Sequence, residues 1–172
     1  MVKVIGSIDN ALIWNTTYHL VFSDSELLKF KVMEGAERFL DIYDTQMSNS
    51  SRMIPVEGEI SNYRVTREEV KNILKENEMR GSDIEKNLDK ILDDSPGYLE
   101  RIPYTSIRAA ELSNGNSLSL PHLELKIEGG HMKFHLNHSN YQGRGKLPEE
   151  IFSNYENTLK QALGDKLKVK GE

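Results

Sequence analysis

The chain has 172 residues and a mass of 19.7 kDa, the size of a single domain that buries roughly two-thirds of its unfolded surface around one core. Twenty-two Lys and Arg against 27 Asp and Glu give a net charge of −5 and a pI near 5.6, which argues against a dedicated nucleic-acid binder. Cysteine is absent, which excludes disulfides, thiolate chemistry and zinc knuckles, while 37% hydrophobic residues and a mean hydropathy of −0.57 describe a polar chain that still carries enough patterned apolar positions to fold.

From Val2 to Val32 the apolar period is 2. Val2, Val4 and Ile8 lead to Asp9-Asn10, read as a turn, and Leu12 and Trp14 follow on a further strand. Trp14, beside Leu12 and Ile13, is expected in the core. Tyr18, Leu20 and Phe22 alternate with His19, Val21 and Ser23; Asp24-Ser25 can turn; Leu28, Phe30 and Val32 then alternate with Lys29 and Lys31. The spacing predicts a hairpin with one buried face.

The period then changes to 3.6. Ala36, Phe39, Leu40 and Tyr43 line one side of a short helix over 33–44, and the polar stretch Thr45–Arg52 reads as a mobile connection. Thr66 with Glu69 forms a capping box that opens a helix bearing Val70, Ile73 and Leu74. Gly81 reads as its C-terminal stop, and Ser82 with Glu85 opens a second helix bearing Ile84, Leu88, Ile91 and Leu92, ended by Ser95-Pro96-Gly97. Residues 66–94 thus read as a helical hairpin.

Strand patterning returns from Tyr98. Ile107–Leu112 runs into Asn114-Gly115, a strong type I′ hairpin signal. Leu118 and Leu120, then Leu123, Leu125 and Ile127, alternate with polar residues around Pro121, where an edge or bulge is expected. Gly129-Gly130 turns the chain into Met132, Phe134 and Leu136, completing a three-stranded meander. Pro148 at the first helical position, with Glu149 and Glu150 after it, opens a helix striped by Ile151, Phe152, Tyr155, Leu159 and Leu163 and ended by Gly164.

This succession, strands, then a meander, then one amphipathic helix, resembles the pleckstrin-homology-like (PH-like) barrel, in particular its GRAM-like and bacterial branches. The resemblance is carried by Thr17-Tyr18-His19-Leu20-Val21-Phe22 before a turn, by Arg101-Ile102-Pro103-Tyr104-Thr105-Ser106-Ile107, and by the Leu123–Leu136 hairpin with its closing helix. It spans about half the chain. It implies an α+β fold: an antiparallel PH-like β-barrel or sandwich formed by residues 1–33 and 98–172 with a C-terminal capping helix, and a helical insertion over 34–97. The charge divides along the same lines, because residues 34–95 carry −6 and the remainder +1. The family's phosphoinositide site needs several basic side chains near the first two strands. Lys3 is the one basic residue in 1–28, beside Asp9, Asp24 and Glu26, so no specific phosphoinositide binding is expected. What the resemblance leaves is binding of a peptide or protein.

No constellation carries an evident chemistry. His131, His135 and His138, with His122 on the preceding strand, form the densest polar cluster, but Met132, Phe134 and Leu136 need the core face, so the imidazoles are expected in solvent without carboxylate support and no metal is assigned. Gly143-Arg144-Gly145-Lys146 before a helix fits contact with an anion or acidic peptide through Arg144 and Lys146, but it fails as a P-loop because Leu147 stands where a hydroxyl is needed. A winged-helix reading of 66–115 fails on charge, since the would-be recognition helix holds Lys86 and Lys90 against Asp83, Glu85, Asp89, Asp93 and Asp94. There is no G-x-S-x-G, H-E-x-x-H or paired-carboxylate signature, and Asp41, Asp44, Glu68 and Glu69 read as solvated helix faces.

The expectation is therefore a non-enzymatic, cytoplasmic interaction module that needs no cofactor, binds a protein or peptide and does not bind nucleic acid. Tyr63, Val65, Met53 and Met79 are its candidate contacts on the insertion. A small metal-dependent hydrolase built on the His131/His135 strand is the alternative, and a membrane-surface adaptor is a second.

Overall fold

The computed structural model describes residues 1–34, 67–116, 119–140 and 146–170. The fold is α+β. Its strands are β1 (Val4–Ile13), β2 (Thr16–Ser23), β3 (Glu26–Glu34), β4 (Leu99–Pro103), β5 (Ile107–Ser113), β6 (His122–Ile127), β7 (Gly130–Leu136) and β8 (Leu167–Lys170). Its helices are α1 (Arg67–Lys86), α2 (Leu88–Asp94) and α3 (Glu149–Leu163). The strands form one eight-stranded sheet in the order β4-β3-β2-β1-β7-β6-β5-β8. Every pairing is antiparallel except β5 with β8. Two meanders, β1–β4 and β5–β7, thus join edge to edge through β1 and β7, where Ala11 faces Leu136 and Leu12 faces His135.

One face of the sheet packs on α3. Ile8, Leu20, Phe22, Leu27, Leu123, Leu125, Phe134 and Leu136 meet Tyr155, Leu159 and Leu163 there, and full burial of a side chain such as Leu159 is worth about 1.5–3 kcal/mol. The other face of β2 and β3 is apolar as well: Val21, Leu28 and Phe30 pack on Leu88 and Leu92 of α2, while Met33 packs on Val70 and Leu74 of α1. The hairpin expected to bury one face buries both, because residues 67–94 cover the second. Pro103 ends β4, a 3-10 turn over Tyr104–Ser106 follows, and Ile107 opens β5, so the Arg101–Ile107 segment is the corner between the two meanders. There the Tyr104 hydroxyl donates to the Ser23 carbonyl at 2.5 Å.

Several sequence expectations change. Asp9-Asn10 is not a turn. Ile8 faces Leu20 and Ala11 faces Tyr18, so Asp9 and Asn10 together oppose His19 as a β-bulge inside β1, with Asn10 at φ +53°. The turn falls at Trp14-Asn15, and Trp14 is not a core residue: it stands 81% exposed at φ +56°. Gly81 does not end a helix. α1 runs through it to Lys86 and breaks at Asn87. Asn114-Gly115 does not close a two-residue hairpin, since Ser113 pairs with His122 and residues 114–121 lie between. The Asn114 side chain instead grips the backbone ahead of α3, accepting from Leu147 N at 2.8 Å and donating to Leu147 O at 3.3 Å. Pro148 caps α3 rather than occupying its first turn, and its carbonyl accepts from Phe152 N. β8, which follows Gly164, carries no sequence expectation at all. The first two residues of the expected helix over 33–44, Met33 and Glu34, belong to β3; residues 35–44, the Thr45–Arg52 stretch, Thr66 and Leu118 lie outside the described residues.

Candidate functional site

Among the described residues, a cluster of polar side chains lies between the β1 bulge and α1. A bulge places two residues of one strand on the same side, so Asp9 and Asn10 both point at α1, together with His19 from β2. His19 is buried, with only 2% of its side chain exposed. Its Nε2 donates to Glu85 Oε2 of α1 at 2.7 Å. Its Nδ1 lies 2.8 Å from Asp9 Oδ1, which makes the second ion pair. Gly81 of α1 lies against the ring, where any Cβ would collide with the imidazole. The helix can approach this closely only because residue 81 has no side chain.

The protonation of His19 follows from its partners. Burial disfavours the cation and is the largest single influence, but contacts and charge from Asp9 and Glu85 together outweigh it and raise the imidazole to about 9. For Glu85, burial pushes upward, yet the hydrogen bond and charge of His19 and a hydrogen bond from Ser7 hold its carboxyl below the usual value. At neutral pH the group is an imidazolium between two carboxylates.

Two turns away on α1, Glu78 collects a second set of donors. Its Oε1 accepts from Ser139 Oγ at 2.6 Å, and its Oε2 accepts from Ser139 N at 2.8 Å and Asn10 Nδ2 at 3.0 Å. Asn10 Nδ2 also donates to Leu74 O, and Asn10 Oδ1 accepts from Asn77 Nδ2. Buried amides are thereby satisfied across the helix–sheet interface. Asp9, Glu78, Ser82, Glu85 and Lys86 line an open cleft of about 300 Å³ here.

Sequence reasoning missed this site. Asp9-Asn10 resembles a turn in isolation, Glu85 resembles the capping partner of Ser82 although α1 runs straight through both, and Glu78 carries no sequence signal. The one available signal was His19 itself, a titratable residue in a row with Val21 on a strand whose neighbours are apolar.

The residues singled out from the sequence lie elsewhere. His131 and His135 are on β7, where His131 faces Lys126 and His135 faces His122. Neither lines the cleft. Burial, with Lys133 and His122 nearby, lowers the His135 pKa. The expectation of histidines without carboxylate support is corrected at two positions: His122 Nε2 lies 3.3 Å from Glu111 Oε2, and His138 Nε2 lies 3.8 Å from Glu78 Oε2. Among the described residues no group of three or more His, Cys, Asp or Glu is placed to hold a metal ion. Lys146 is exposed just ahead of α3, and Arg144 lies outside the described residues, as do Met53, Tyr63 and Val65. Met79 is 64% exposed on α1. Among the described residues no helix is long and apolar enough to cross a membrane. Comparison of the chain with family models, with curated proteins and with solved structures returned no match.

Proposed function

We propose that the protein is a non-enzymatic interaction module of PH-like architecture that binds a protein or peptide, with Trp14 as its anchor. Support for the architecture is the pairing of a four-stranded and a three-stranded meander through β1 and β7, with α3 packed across one face. Arg144 and Lys146, on the approach to α3, would add contact with an acidic segment of the partner.

The observation that carries the reading is Trp14. It is the only tryptophan in the chain, stands 81% exposed at the β1–β2 turn, and holds φ +56°. Glycine or asparagine would suit that backbone better, and a hydrated indole contributes little to folding. Neither the turn nor the core explains the residue, whereas a partner does: a rigid, large aromatic is the side chain most enriched at the energetic centres of interfaces. The turn itself, Ile13-Trp14-Asn15-Thr16, carries no charge, so it lacks the basic residues that would help an indole seat on an anionic membrane.

The test is affinity capture from native extract with the wild-type chain and with Trp14→Gly in parallel, followed by titration of the purified partner while following tryptophan emission. The reading expects a partner retained by the wild type and lost by the variant, and a blue shift of the indole on binding. Equal retention by both chains, or emission unchanged at saturation, overturns it. Flotation of the wild type with anionic liposomes, abolished in the variant, would favour the membrane instead.

A further inference from the structure

Helix α1 is held to the sheet in two different ways along its length. Toward its start, Val70 and Leu74 pack on Met33; beyond its end, Leu88 and Leu92 of α2 pack on Val21, Leu28 and Phe30. Between these apolar anchors the side facing β1 and β2 presents Asn77, Glu78, Gly81, Ser82 and Glu85. Between Leu74 and Ile84, which itself packs on the Val21, Leu28 and Phe30 cluster, the helix is therefore attached by polar contacts, and His19 is at their centre.

We propose that His19 is a proton-loaded clasp: its imidazolium joins Asp9 of β1 to Glu85 of α1, and loss of that proton releases the middle of α1 from the sheet and opens the cleft beside it.

The argument is first one of valence. A neutral imidazole has one N–H and one lone pair. With carboxylate oxygens at 2.8 Å from Nδ1 and 2.7 Å from Nε2, either neutral tautomer would aim its lone pair at a carboxylate. Only the doubly protonated ring satisfies both. Deprotonation thus removes one attraction, creates one repulsion and leaves Asp9 and Glu85 as two anions facing each other without a cation between them. Among the described residues, His19 is the one cationic group within ion-pair distance of Asp9 or Glu85. On β3 the cross-strand neighbour of His19 is Phe30, and Lys29 and Lys31 alternate to the opposite face, across from Leu20 and Tyr18. On α1, Glu78 adds a further anion to the cleft and Lys86 also lines it, while His138 Nε2 lies 3.8 Å from Glu78 Oε2. On β1, Ser7 donates to Glu85 and Asn10 is already committed to Leu74 and Glu78.

The device is tested by following the His19 imidazole by NMR between pH 6 and 10 while measuring amide hydrogen exchange of residues 77–86 over the same range, corrected for intrinsic exchange. His19 should titrate near 9. If the open state frees the ring to titrate near 6.5, the opening constant of residues 77–86 should grow by up to about tenfold per pH unit between the two values, while amides of α3 stay flat. His19→Gln, an uncharged group with one donor end and one acceptor end, should show the released pattern already at neutral pH. If that variant does not fold, Glu85→Gln serves: it keeps the shape and lowers the His19 titration, so the rise in opening should stop at that lower pH and be smaller in total. A His19 that is neutral at pH 7, protection of 77–86 that stays constant through its titration, or pH-dependent release that persists unchanged in His19→Gln overturns the proposal.

Discussion

Gly81 of α1 lies against the imidazole of His19 so closely that the two residues exclude any β-carbon between them. This contact reverses an ordinary expectation about helices. In an exposed helix interior, replacing glycine by alanine stabilises by about 1 kcal/mol. Here Gly81→Ala should destabilise by about 1–3 kcal/mol instead, because the added methyl must displace a buried ring that is fixed at both nitrogens. Urea denaturation of the two proteins decides the sign, and a stabilised Gly81→Ala would mean that the ring has room to move.

The same imidazole sets the shape of the stability profile. A histidine raised from 6.5 to about 9 on folding contributes its full stabilisation below 6.5 and loses it as pH rises through 9. The amount is about 3 kcal/mol for a buried group of this kind. Glu85, held below its ordinary 4.5, acts in the opposite sense, stabilising above that value and ceasing to do so as the solution is acidified through its folded pKa. Stability measured by chemical denaturation should therefore be highest between about 4.5 and 6.5 and fall steadily toward pH 9. In His19→Gln the alkaline fall should disappear.

Residue spacing carries much of this architecture and almost none of the site. Leu123, Leu125, Phe134 and Leu136 keep the period of 2 that their strands require, and Tyr155, Leu159 and Leu163 keep the helical period of α3, because each pattern is set by one nearby buried face. A β-bulge has no such signature. Asp9-Asn10 offers the same tolerance of positive φ as a turn, and only pairing with β2 shows that the strand continues through it. The apolar neighbours Leu12 and Ile13 suggest a core position for Trp14, but the chain reverses at Trp14 itself, which turns the indole out to 81% exposure. The misreading of Gly81 has a similar origin: a helix stop is a local property, whereas the close approach of His19 joins residues far apart in sequence.

Trp14 invites a prediction about stability as well as binding. A bulky side chain at φ +56° holds a backbone conformation that costs about 1 kcal/mol relative to glycine, and its exposed ring recovers little of that cost. Trp14→Gly should leave the fold intact and its Tm unchanged or slightly raised, the gain being limited by the greater freedom of glycine in the unfolded chain. A clear loss of stability would mean that the indole packs on the protein after all. Calorimetry answers this without knowledge of the partner, and acrylamide quenching of the wild type should report a fully hydrated indole.

Glu78 is the other carboxylate on which the helix–sheet contact depends, and its role differs from that of Glu85. It receives three hydrogen bonds, from Ser139 Oγ, Ser139 N and Asn10 Nδ2, and so ties the segment after β7 to both α1 and the bulge. All three donors belong to residues at most 8% exposed, which leaves water little access if the acceptor is removed. Glu78→Ala should consequently cost about 2–4 kcal/mol, the penalty of stranding buried donors rather than the net worth of the bonds themselves. Glu78→Gln keeps one acceptor oxygen but turns the other end into a donor facing donors, so it should recover only part of the loss. The distinguishing measurement is a double-mutant cycle with Ser139→Ala. Coupling of about 1 kcal/mol or more is expected between positions 78 and 139, with near-additivity between Glu78→Ala and Leu159→Ala on the opposite face of the sheet. Additivity at 78 and 139 would show that the Ser139 contacts contribute nothing to the fold.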